Sequence, residues 1–209
     1  MLPLSPPRPA QGGPPGPGGV LPKLQADSRA RTLGLRPLLL LPLAWLFWQY
    51  VRDPSPSSIV SGIDLVMHEG GHLFFIWLGS DLLTVAGGTL FQTAIPVAVA
   101  VMFRRNGDPF AVAVALFWLG LNLVEVATYV ADARAQLLPL VSPFPGAPVH
   151  DWNYLLRRAG LLEQDRLVAK AFRHGGIAVM TGSLLLGVHV LRKMGRQSPE
   201  QEDALSSAI

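Results

Sequence analysis

Five apolar runs, at residues 35–51, 59–78, 82–103, 110–131 and 176–191, constrain this chain most. A helix needs about 20 apolar residues to cross the hydrocarbon of a bilayer, and most of these runs have that length. Backbone groups in lipid must find their partners inside the segment, so runs of this kind read as helices. Composition agrees: 50% of the residues are hydrophobic and 15% charged, with the charges gathered between the runs. The expected fold is all-α, a polytopic transmembrane bundle of about four to five spans. The net charge of +3 comes from arginines in loops and tails, with no basic stripe interleaved with aromatics. Membrane lipid is therefore the expected partner, and nucleic acid is not. The chain contains no cysteine, which excludes disulfides and thiolate-held metals.

Residues 1–32 are rich in proline and glycine and read as a disordered tail with no signal-peptide pattern. Residues 33–195 read as the transmembrane domain and 196–209 as a polar tail. Arg29, Arg31 and Arg36 favour a cytoplasmic N-terminus. Gly87-Gly88, Gln92 and Pro96 suggest that residues 83–92 are irregular or re-entrant, a backbone tolerated where it lines a cavity. An amphipathic helix over residues 152–173, lying at the membrane surface, is expected from Leu155, Leu156, Leu162, Leu167 and Phe172 set against five basic residues. Two topologies remain open. Five full crossings put Arg104-Arg105 and Arg192-Lys193 opposite the basic N-terminus; a single net crossing over 59–103 puts all three clusters on one side.

The motif helix, 59–78, carries His68-Glu69-Gly70-Gly71-His72. The pattern H-E-x-x-H sets two imidazoles one turn apart with a carboxylate between them, as zinc hydrolases do. His68 and His72 can then reach one ion, and Glu69 can act as a general base. As mere packing, the segment would bury three polar groups without partners, at a cost that lipid makes severe. Asp64 precedes His68 by one turn and can orient it. His189, alone in the last run, reads as packed, and His174 as interfacial.

A third ligand is required. From Asn122, offsets of 3, 7, 10 and 14 lead to Glu125, Tyr129, Asp132 and Gln136, one face of a second polar-faced helix over 110–132. His150-Asp151-Trp152-Asn153 is another compact ligand source, with Asp151 alternatively capping a helix. Asp132 and His150 are the candidates to join His68 and His72, with Asp151 and Glu125 also open. Asn122 or Gln92 can orient a substrate strand or an oxyanion.

On these residues the chain resembles the site-2-protease-like intramembrane zinc metallopeptidases. The likeness covers roughly residues 58–135: the H-E-G-G-H helix, Gly87-Gly88-Thr89-Leu90, and a later helix bearing Asn122 and Asp132. The resemblance implies zinc held by His68, His72 and an aspartate, Glu69 as base, and a membrane-protein or peptide substrate. Glu125 stands where the family motif has proline, and Asp132 comes two residues late. The sequence is also similar to a group of small bacterial membrane proteins in residues 67–72, 129–136 and 150–156. That similarity implies a multi-pass protein of the bacterial inner membrane. Two other functions fit the same residues: a non-catalytic metal-binding scaffold, or a zinc hydrolase of a lipid or small molecule.

Overall fold

The computed structural model describes residues 20–53, 55–141 and 149–206, with side chains between Gly34 and Gly195. Six α-helices occur among the described residues, and no strand. They are α1 (Val20–Arg52), α2 (Ile59–Phe75), α3 (Asp81–Arg105), α4 (Pro109–Ala131), α5 (Asp151–Ala159) and α6 (Asp165–Ser206). Four segments are long and apolar enough to cross a membrane: Ile59–Leu78, Asp81–Arg105, Pro109–Ala131 and Leu162–Gly195. Their outward faces carry exposed Ile59, Ile63, Val66, Phe74 and Trp77, as a lipid-facing surface does. The chain is a helical membrane protein.

Helix α1 begins at Val20, and residues 1–19, most of the stretch read as a disordered tail, lie outside the described residues. Pro22 falls in the first turn, where its missing N–H costs nothing, and good helix formers follow. The segment at 83–92 is not irregular: α3 is continuous, with Ser80 Oγ accepting from Leu83 N at 3.4 Å. Its glycines serve close packing instead. A Cβ on Gly87 would lie 2.9 Å from Gly71 O, so small residues let α2 and α3 approach closely. The amphipathic helix expected over 152–173 is broken. Gly160 adopts φ 69°, Leu161 N returns to Leu156 O at 2.8 Å, and a second helix starts at Asp165 and runs on into the last span. Only glycine takes that left-handed turn without strain.

Helices α4 and α6 pack closely. Gly120 and Gly176 face each other, and a Cβ on Gly176 would stand 2.7 Å from Gly120 O. Around this crossing Tyr50, Phe117, Leu121, Val124 and Met180 form a buried cluster. A second cluster, of Val126, Val130, Ala133, Leu156 and Ala169, seats α5 on the ends of α4 and α6. Arg134 braces the same region. Its guanidinium donates twice to Asp165, both at 2.8 Å, and once to Glu163 at 2.9 Å. These contacts fold the connection after α4 back onto the bundle and bring the start of α5 to the motif helix.

Candidate metal centre

The motif lies in the C-terminal half of α2, with His72 in the last turn, and His68 and His72 are both buried. Each ring has one nitrogen held by an acceptor. His72 Nδ1 donates to the Thr84 carbonyl at 2.8 Å. His68 Nδ1 faces Gln92 Oε1 at 3.0 Å. A backbone carbonyl only accepts, so the Nδ1 proton of His72 is fixed and Nε2 presents a lone pair. The two Nε2 atoms converge on one carboxylate oxygen, Asp151 Oδ2, at 2.8 Å from His68 and 3.2 Å from His72.

This contact is informative because of its charges. With Nδ1 protonated, a neutral imidazole and a carboxylate meet lone pair to lone pair. A proton on one or both rings or on the carboxyl, or a cation among the three atoms, resolves the contact. Ligand atoms around a zinc-sized ion at about 2.0–2.2 Å lie roughly 3.3–3.6 Å apart in tetrahedral geometry. The observed 2.8 and 3.2 Å are shorter than that and are hydrogen-bond distances, which an imidazolium form of the rings supplies; an ion held by the same three atoms would open them by a few tenths of an ångström. Histidine nitrogen and carboxylate oxygen are also suitable donors for such an ion, so the residues fit a metal. Burial pushes the Asp151 carboxyl up, but hydrogen bonds and charge from His68 and His72 in their imidazolium form outweigh it and hold the carboxyl below its ordinary value.

The backbone completes the cradle. A Cβ on Gly88 would lie 2.6 Å from His68 Nε2 and 2.7 Å from His72 Nε2, so only glycine leaves the ligand atoms room. Tyr129 positions Asp151. Its hydroxyl accepts from Asp151 N at 3.1 Å, and its ring meets His68 edge-on at 5.8 Å between centroids. Glu69 shares the His68–His72 cluster. Its Oε2 is buried with no hydrogen-bond partner, which leaves a carboxylate oxygen uncommitted beside the ligand atoms. The centre opens onto a cavity of about 620 Å³ lined by Glu69, Gln92, Glu125, Tyr129 and the extended residues 138–141.

Three sequence-derived candidates stand elsewhere. Asp132 is the C-cap of α4, and its two oxygens accept from Leu137 N at 2.9 Å and Leu138 N at 3.0 Å. His150 caps α5 by accepting from Asn153 N, stacks on Tyr129, and turns Nε2 to Asp132 at 3.4 Å. Asp132 and His150 thus pair with each other, and Asp151 takes the place beside His68 and His72. Asn122 is fully buried, donates to Trp118 O at 3.1 Å, and does not line the cavity. Gln92, the alternative for orienting a substrate, does line it. Gly88 and the Thr84 carbonyl are contributors that the sequence reading did not assign; an amide and a Gly-Gly pair inside an apolar run were the available signals.

Comparisons with protein-family models, with curated proteins and with solved structures return no match for this chain.

Proposed function

We propose that this protein is a membrane-embedded zinc hydrolase that cuts a peptide bond within or beside the bilayer. His68, His72 and Asp151 would hold the ion. The observation that carries the reading is the convergence of two imidazole Nε2 atoms on one carboxylate oxygen, with each Nδ1 facing an oxygen acceptor. An all-histidine-and-carboxylate set of three, with space beside it, is the donor pattern of catalytic rather than structural zinc sites. Bound there, zinc would polarise a carbonyl and lower the pKa of a water.

The remaining chemistry belongs to the chain. Glu69, with its free oxygen, accepts the proton of the attacking water and returns it to the leaving amine. Gln92 and Thr84 hold the rings in the tautomer that presents Nε2. Tyr129 fixes the backbone of Asp151 and places a hydroxyl at the cavity wall. Apolar residues at 138–141 and Val126 offer a surface for an extended, hydrophobic substrate.

Elemental analysis of the purified protein tests the reading first, with one equivalent of zinc expected. Glu69→Gln keeps that zinc and loses cleavage of a transmembrane peptide substrate, whereas His72→Ala loses both. A protein that cannot be loaded with zinc sinks the site. Zinc without any effect of Glu69→Gln on cellular function assigns the protein to the non-catalytic scaffolds instead.

A further inference from the structure

A second polar group lies in the same apolar bundle, away from the histidines. Asp64, one turn before His68 on α2, is 0% exposed, and Glu125 of α4 is its neighbour across the α2–α4 contact, where Ser61, one turn before Asp64, donates to it. Trp118 Nε1 donates to Asp64 Oδ1 at 2.8 Å. Tyr50 and Ser61 hydroxyls donate to Glu125 Oε1 at 2.5 and 2.6 Å. Ser58 adds a hydroxyl contact to Tyr50 at 2.9 Å. Two fully buried acceptor atoms remain without any donor, Asp64 Oδ2 and Asn122 Oδ1, and the Asn122 amide also lies beside Asp64.

No cationic side chain among the described residues is hydrogen-bonded or ion-paired to either carboxyl. Arg173 donates to the carbonyls of Tyr50, Val51 and Asp53. His68, the next residue on the stripe, is turned to Gln92 and Asp151. Neighbouring buried carboxylates resist holding two charges, and a membrane interior raises the cost of the second. One hydrogen between them supplies the donor that Asp64 Oδ2 lacks.

We propose that Asp64 and Glu125 form a carboxyl dyad that binds one shared proton and exchanges it with the cavity through Glu125. Glu125 is the cavity-lining member, while Asp64 is sealed behind it against Trp118 and Asn122. Tyr50, Ser58 and Ser61 fix Glu125 from the side of α1 and the start of α2, so the shared hydrogen has one direction of exit. The dyad is a proton site separate from the metal ligands, and it does not depend on the zinc reading.

Infrared spectroscopy of the full-length protein in lipid nanodiscs at neutral pH tests this. The expected spectrum contains a protonated-carboxyl C=O stretch that shifts in D2O. It persists in Glu69→Gln and disappears in Asp64→Asn/Glu125→Gln. The amides of that double variant preserve size and can hydrogen-bond one another, so the fold is retained, as thermal denaturation will verify. Absence of the band in the unmodified protein overturns the proposal, and so does a band that survives the double substitution. A second equivalent of metal that the double variant removes, without a protonated-carboxyl band, replaces the proton with a cation and also overturns it.

Discussion

The molecule sets aspartate against histidine twice, Asp151 with His68 and His72, and Asp132 with His150, and Tyr129 touches both groups. At Asp132 every strong acceptor is spoken for: both carboxylate oxygens hold backbone N–H groups of the following turn. His150 spends its Nδ1 on capping α5. At Asp151 the backbone is anchored through its N–H and the carboxylate oxygen is left to face two Nε2 atoms. The same residue types therefore build a brace in one place and, on the proposed reading, a ligand set in the other. What separates them is which lone pairs the local backbone has already used.

Asp151→Asn is the sharpest way to break this contrast. Removing the charge from a ligand should weaken metal binding by more than the roughly 10–100-fold typical of groups that only orient ligands. Competition against a fluorescent chelator measures it. Retention of near-native affinity would put the third ligand elsewhere and return Asp132 to contention. Gly88→Ala should come next. Its new methyl would meet both Nε2 atoms, and the rings can avoid it only by turning away from their common point. Overpacking of this kind costs about 1–3 kcal/mol in stability. The diagnostic result is metal loss well beyond what that destabilisation explains, because the rings, not the fold, give way.

The two aspartates also mark where sequence reasoning stops. Helical periodicity from Asn122 correctly collects Glu125 and Tyr129 on a polar face, but it carries on to Asp132 and Gln136. Helix α4 ends at Ala131, and Gln136 has φ 51°, so both residues have left the helix whose wheel placed them together. The spans were legible because their length and hydropathy are local properties. The H-E-x-x-H pair was legible because i, i+4 spacing is geometry within one helix. Asp151 was only one of several candidate ligands, since its approach depends on contacts between the start of α5 and the end of α4. The Tyr129 hydroxyl bond to Asp151 N is such a contact, and it and the Arg134 ion pair with Asp165 join residues far apart in sequence. The break at Gly160 has the opposite lesson: the glycine was visible, but the basic and apolar alternation on either side suggested one continuous helix.

Gln92→Leu sharpens the contrast more gently. It removes the acceptor of His68 Nδ1 while leaving all three ligand atoms in place. Loss of such an orienting group is expected to cost roughly 10-fold in metal affinity. The loss should appear as faster metal release in stopped-flow chelation, with the equivalents bound at saturation unchanged. A variant indistinguishable from the parent would mean that His68 is held by packing alone.

Asp132→Asn should have the smallest effect on metal and a distinct effect on the fold. The carboxylate holds two backbone N–H groups at the end of α4, and an amide offers only one acceptor. Hydrogen bonds to a charged group contribute about 1.5–3 kcal/mol, so losing one should lower the denaturation midpoint measurably. Metal affinity should stay at the parent value, because neither Asp132 nor His150 reaches the point where His68, His72 and Asp151 meet. The two measurements on one variant separate brace from ligand. Loss of metal at Asp132→Asn with affinity retained at Asp151→Asn would exchange the roles of the two aspartates, and would restore the ligand arrangement that the likeness to site-2-protease-like enzymes implies.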